Sequence, residues 1–323
     1  MAKYLLPLAF ILSLFTAVLK YNIKGNLSAY KPLLHSKKAA SVPGAADTIL
    51  FPGETHFANI RQLTFGGDNA EAYFSFDGKW IIFQKTNLKE GIICDQEWIG
   101  KLPEAPGEDF TPTLVSTGAG RTTCGFFFPD GKHILYASTH LASKDCPPIP
   151  DRTKYGNRYI WPVYKSFDIF KAETNGKIVK RLTSTDGYDA EATISPKGDK
   201  IVFTSMRGGD LDLYTMDLNG KHIKQVTNTL GYDGGAWFSP DGTKILWRAS
   251  RPGTEIEVKE YKELLAESLV APTNMEVWMG NADGTAARQV TFFKAGKLGS
   301  EFHPEWKANN FLQQSRIPKR ISI

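Results

Sequence analysis

Apolar and polar residues alternate along most of this chain, and Gly, Pro, Asp and Asn interrupt the alternation at short intervals. Period-two patterning between such breaks predicts short strands. Between Lys180 and Ser250 the pattern is written twice. Arg181-Leu182-Thr183 returns as Gln225-Val226-Thr227, Gly187-Tyr188-Asp189 as Gly231-Tyr232-Asp233, and Ser195-Pro196-Lys197-Gly198 as Ser239-Pro240-Asp241-Gly242. The offset is 44 residues each time, as from Thr183 to Thr227. A repeat of that length, built from short strands, predicts the blade of a β-propeller.

One blade reads as four strands. Ala192 to Ser195 is the first, and Pro196 to Asp199 is a tight turn with Gly198 at positive φ. Lys200 to Ser205 and Asp212 to Leu218 follow, then the hairpin signal Asn219-Gly220 and a last strand from His222 to Thr227. Such a sheet is apolar on both faces and buries them only by stacking on neighbours, so the repeat implies a ring. Blade one opens at Glu71 to Ser75 with the turn Asp77-Gly78-Lys79, and blade two at Thr123 to Phe128 with Pro129-Asp130-Gly131. A fifth blade begins near Glu301 and breaks off. From Glu305 to Ser315 alternation and turn signals are lost, and synonymous codons for that run, read one base out of frame, encode a turn and an apolar strand. The expectation is an all-β chain with four complete blades and the start of a fifth, with 307–323 either an aberrant tail left by a frameshift that truncates a six-bladed or larger ring, or a natural short tail.

Two blades carry long inserts between their second and third strands. Asp145 to Ser166 of blade two is rich in Pro and in ring-bearing residues: Tyr155, Tyr159, Trp161 and Tyr164, with Arg158 among them. That composition is typical of binding hot spots, and equally of a loop packed on its own rings. Arg251 to Asn274 of blade four holds the one good helix, with Thr254 and Glu257 as a capping box and an apolar stripe of Ile256, Val258, Tyr261, Leu264, Leu265 and Leu269. It reads either as cover for a propeller edge or as a partner-binding helix.

Connections in an antiparallel blade alternate between the two ends of the disc. The short turns therefore share one face, and both inserts share the other. Function concentrates on such loops. Counting back from the end of each first strand places Glu71, Cys124, Glu191 and Gly235 four residues in, and Asn69, Thr122, Asp189 and Asp233 six residues in. Even offsets share one side of a strand. Glu71, Asp189, Glu191 and Asp233 are thus expected at the channel mouth, holding a cation such as calcium or a basic group, or else bonded to neighbouring backbone. No cofactor is otherwise implied.

Net charge changes the picture of partners. Six of the 39 basic residues lie in 1–46 and four in 307–323, where there are no acids, leaving 29 against 34 acidic residues in 47–306. A mildly acidic body argues against nucleic acid. Tyr4 to Leu19 is an apolar run after one Lys, short for a bilayer span and suited to export. Residues 1–20 read as a signal peptide or uncleaved anchor, the latter being the sole membrane contact expected; 21–50 read as a flexible tether and 51–306 as the propeller. Cys94, Cys124 and Cys146 contain no CxxC pair, so zinc is not indicated. One reading pairs Cys124 with Cys146; another leaves three buried thiols.

Leu182-Thr183, Asp189 to Ala192, Ser239 to Ile245 and Tyr214 to Gly220 together resemble the TolB-like propeller repeat, related to WD-type repeats. The resemblance covers roughly 58–306. It implies an exported binding or scaffold protein, periplasmic or at the cell surface, that recognises an envelope protein or glycan through its loop-rich face. No Gly-x-Ser-x-Gly elbow and no His-Glu-x-x-His occur. The alternative is the propeller of an exported prolyl-oligopeptidase-like hydrolase or a polysaccharide lyase whose catalytic part is absent or unrecognised.

Overall fold

A computed structural model describes residues 60–105, 108–156, 158–272 and 274–292. The expected export segment, tether, fifth-blade start and tail lie outside the described residues. Within them, four sheets of four antiparallel strands stand in a ring. Blade one is β1 (Asp68–Phe74), β2 (Trp80–Asn87), β3 (Ile92–Lys101) and β4 (Thr113–Leu114). Blade two begins with β5 (Thr122–Phe127) and β6 (His133–Ser138); its insert contributes β7 (Trp161–Pro162), and β8 (Asp168–Glu173) and β9 (Ile178–Arg181) complete it. Blade three is β10 (Asp189–Ile194), β11 (Ile201–Ser205), β12 (Asp212–Met216) and β13 (Lys224–Gln225). Blade four has β14 (Asp233–Phe238) and β15 (Lys244–Ala249), then an insert with helix α1 (Glu255–Ala266) and β16 (Leu269–Val270), then β17 (Glu276–Asn281) and β18 (Arg288–Gln289).

The repeated letters have local causes. In the first turn of blade four, Ser239 Oγ donates to Asp241 Oδ1 at 2.5 Å and accepts from Lys244 N at 3.0 Å, while Asp241 accepts from Thr243 N at 3.0 Å. Gly242 closes that turn at φ 65°, as Gly78, Gly131 and Gly198 do at 70°, 66° and 66°. The Asn-Gly hairpin forms with three residues in its loop: Asp217 N bonds to Lys221 O, Gly220 N bonds to Asp217 O, and Gly220 alone takes positive φ, at 75°. That is a type I turn closed by a bulge.

The Leu-Thr signature anchors the outer strands. Thr227 Oγ1 accepts from Leu213 N at 2.9 Å and donates to Asp212 Oδ1 at 3.1 Å. Thr183 with Asp168, Thr291 with Glu276 and Ser116 with Gln96 repeat the arrangement in the other blades. This explains why β13 is shorter than its pattern. Lys224 and Gln225 pair with β12, and the chain then turns inward so that Thr227 reaches its partner.

Apolar side chains from facing blades interleave between the sheets. Ile82, Ile99, Phe127, Ile134, Tyr136 and Phe170 fill the space between blades one and two. Val202, Leu213, Phe238, Ile245 and Trp247 fill that between three and four. Each fully buried aliphatic or Phe side chain contributes ~1.5–3 kcal/mol.

Helix α1 starts with the expected capping box, Thr254 Oγ1 accepting from Glu257 N at 3.2 Å and Glu257 Oε2 accepting from Thr254 N at 3.0 Å. It buries Tyr261, Leu264 and Leu265, whereas Ile256 is 72% exposed, off the stripe. Leu269 belongs to β16, which pairs with β7. The two inserts are thus one structure. The pairing of Cys124 with Cys146 is corrected: the disulfide joins Cys94 to Cys146, with Cα atoms 6.0 Å apart, and Cys124 is free. Cys124 lies on the innermost strand of blade two. Cys94 opens β3 on the insert face, where the blade-two insert leaves its sheet.

Candidate functional site

Each innermost strand carries a bulge at the same place. Register slips between Ala70 and Tyr73, Thr123 and Phe126, Ala190 and Thr193, and Gly234 and Trp237. The residues at the bulge are Glu71, Cys124, Glu191 and Gly235, all left-handed, at φ 49°, 55°, 55° and 58°. Three of them are not glycine, and such backbone is costly for a side chain. All four are partly exposed. A bulge redirects its residue, and here it faces the ring centre. Blade four supplies no side chain at this level, and a Cβ built on Gly235 would stand 2.6 Å from Arg248 Nη2. The guanidinium fills that quadrant. The central ring therefore reads Glu71, Cys124, Glu191, Arg248.

The bulge also corrects the expectation that residues four and six positions in share a side. Asp189 is held by Arg207 at 3.0 and 3.1 Å. Asp233 is 0% exposed and accepts from Arg251 Nη2 and Trp247 Nε1, both at 2.6 Å. Burial raises the Asp233 carboxyl to about 6, against the pull of Arg251. Burial also raises Asp189, against its hydrogen bonds and Arg207. These two carboxylates pair within their own blades. Among the described residues, no group of three or more His, Cys, Asp or Glu is arranged to hold a metal ion.

Glu191 is saturated. Its oxygens accept from Tyr188 OH at 3.0 Å, Tyr232 OH at 2.6 Å and Gly235 N at 2.6 Å. Glu71 accepts from Tyr73 OH. Burial and the neighbouring glutamates push the three tyrosines well above their ordinary range, so they remain donors. Burial, then Glu71 and Glu191, raise the Cys124 thiol likewise, which makes it a poor nucleophile.

One layer towards the short turns, three rings close the centre. Tyr73, Phe126 and Trp237 have centroids 5.8, 5.2 and 5.3 Å apart in the pairs Tyr73–Phe126, Tyr73–Trp237 and Phe126–Trp237. On the opposite side lies the lid made by the inserts. Trp161 stands over the Arg248 guanidinium at 5.6 Å and edge-on to Tyr232 at 6.1 Å. Tyr155 OH bonds to Glu267 at 2.5 Å, and Arg158 pairs with Glu260 at 3.2 Å, both reaching α1 or its end. Tyr261 OH donates to Asp210 at 2.5 Å, fixing α1 to blade three. Tyr164 OH donates to Pro148 O at 2.7 Å. Tyr159 stays 36% exposed, beside Trp161 and under Arg152. Thus the structure brings Trp161 to Glu191 through Arg248, while Tyr155, Arg158 and Tyr164 shape the lid.

The chain is a β-propeller of four-stranded antiparallel blades. The repeat in its sequence together with the four sheets carries that assignment. No family model matches the sequence, and no curated protein does. Among solved structures, TolB from Acinetobacter baumannii is similar at 19% identity and TM-score 0.46, over 70% of this chain and 44% of that one. The chain spans less than half the length of that protein. A putative TolB from Agrobacterium tumefaciens is similar at 17% identity and TM-score 0.37, over 69% and 80%. A nidogen/laminin complex is similar at 12% and 0.40, over 64% and 62%.

Sequence reasoning missed Arg248. Its signal was Gly235, where the repeat places a side chain in the other three blades. A cleft of about 220 Å³ lies elsewhere, beside the disulfide, lined by Ile93, Trp98, Leu114 and Lys144 among others. It brings one charged group to its rim, whereas the ring centre gathers three. No helix among the described residues is long and apolar enough to cross a membrane.

Proposed function

We propose that this chain is an exported, non-catalytic propeller that captures a protein or glycan of the cell envelope on its insert face. The observation that carries the reading is the lid. Two inserts from different blades join through β7 and β16 and hold Trp161 over the Arg248 guanidinium, with the half-exposed Tyr159 ring edge-on beside it. A surface built at that length from rigid aromatic side chains is suited to contact. The apolar segment Tyr4 to Leu19 supports export to the periplasm or cell surface, with 1–20 as signal or anchor, 21–50 as tether and 51–306 as the propeller. The acidic body disfavours nucleic acid as partner.

The test is capture from envelope extract with Tyr159→Ala and Trp161→Ala, each checked for an unchanged melting midpoint. Recovery of the partner should fall about ten-fold or more, the loss of a ~1.4 kcal/mol contact. Unchanged capture by both variants would remove the lid as the binding surface. Turnover of peptides or uronides that is abolished in Glu71→Gln would replace the binding reading with an enzymatic one.

A further inference from the structure

Arg248 is anomalous. Arg207 spends its guanidinium on Ser205 and Asp189, and Arg251 on Ser250 and Asp233. Arg248 makes no hydrogen bond among the described residues; its nearest acidic oxygen is Glu191 Oε2 at 4.0 Å. Its side chain is 34% exposed, at the centre of the ring. An arginine carries five N–H donors in a planar fork. Left unused in a partly enclosed site, they mark a place for an acceptor from outside the chain.

Glu71 is the complement. It accepts one hydrogen bond from Tyr73, whereas Glu191 is fully committed. Glu71 is close enough to Arg248 to act on it electrostatically. The tyrosines and Cys124 are neutral, so Glu71, Glu191 and Arg248 leave the centre one negative charge in excess. A carboxylate ligand would deepen that excess, and a cation cancels it. The matching ligand therefore presents an ammonium for Glu71 beside a planar acceptor for Arg248.

We propose that the ring centre receives the free amino terminus of a peptide, its ammonium on Glu71 and its first carbonyl on the Arg248 fork. This rests on the lid reading, since the peptide beyond its first residue would pass under Trp161 and Tyr159. No covalent step is involved.

The experiment titrates the purified full chain with trialanine amide, with N-acetyl-trialanine amide and with glucosamine. The free amine should bind at least ten-fold more tightly than the acetylated peptide, because acetylation removes the charge and adds bulk at Glu71. Glu71→Gln should weaken the free peptide about ten-fold and leave the acetylated one unchanged. Arg248→Lys, which keeps the charge and loses the fork, should weaken both peptides alike. Equal binding of the two peptides by the unaltered protein overturns the proposal and needs no variant to fold. Glucosamine binding in their place assigns the centre to amino sugars and overturns it too, as does no binding by any probe at millimolar concentration. Capture lost in Tyr159→Ala but unchanged in Glu71→Gln sinks the central site and leaves the lid reading standing.

Discussion

Glu97 offers a sharp test of the packing between blades one and two. It sits on β3 at 0% exposure, and neither carboxyl oxygen has a hydrogen-bond partner. The backbone N–H of Gly125 is a stabilising neighbour that stays outside hydrogen-bond geometry, and a Cβ built on Gly125 would stand 2.5 Å from Glu97 Oε2. Burial first, then the charges of Asp95 and Glu71, raise this carboxyl well above the ordinary range. The native state therefore keeps the proton after the unfolded chain has lost it. Its contribution to stability is complete below the unfolded value of ~4.3 and falls as pH rises towards the native value, by at most ~1.4 kcal/mol per pH unit. Glu97→Gln replaces the acid with a neutral group of the same shape and abolishes that slope. At pH 4 the two proteins should differ by no more than ~1 kcal/mol, since a buried amide and a buried acid leave similar groups unsatisfied. At pH 8 the variant should be the more stable, the wild type having lost ground as pH rose above the unfolded value while the variant did not. Urea unfolding at fixed ionic strength across pH 4–8 measures both curves. Asp212 and Asp233, each raised to about 6 by burial, impose the same sign on both proteins and cancel in the difference. Parallel curves would show that Glu97 is ionised in the folded protein, and the account of this interface would be wrong.

Gly242 sits at φ 65°, and a Cβ there would meet Ser195 Oγ at 3.0 Å. Gly242→Val should destabilise by ~1–2 kcal/mol from the left-handed penalty alone, and an unshifted urea midpoint would refute it. The Cys94–Cys146 disulfide closes 52 residues of chain, so its reduction should lower stability by ~4 kcal/mol in the chain-entropy account. Reduced and oxidised protein with equal midpoints would contradict that, and mass mapping that found Cys124 oxidised would contradict the pairing.

The blades, their turns and the capped helix were legible because their causes are local. Gly at 78, 131, 198 and 242 answers a φ requirement within four residues, and Thr254 with Glu257 caps a helix across one turn. The face carrying both inserts followed from counting strands. The arrangement at the ring centre followed only halfway. Period-two counting put Glu71 and Glu191 on the channel side of their strands, but a bulge adds a residue without leaving a mark in the alternation, and so Asp189 and Asp233 were placed beside them when they face Arg207 and Arg251. Whether Cys146 meets Cys94 or Cys124 depends on where a long insert leaves its sheet, which no spacing encodes. Arg248 reached the centre because Gly235 left a quadrant empty, and a vacancy has meaning only once four blades surround it. Sequence determined the unit and its repetition, through interactions spanning a few residues. Tertiary structure decided what the units place opposite one another.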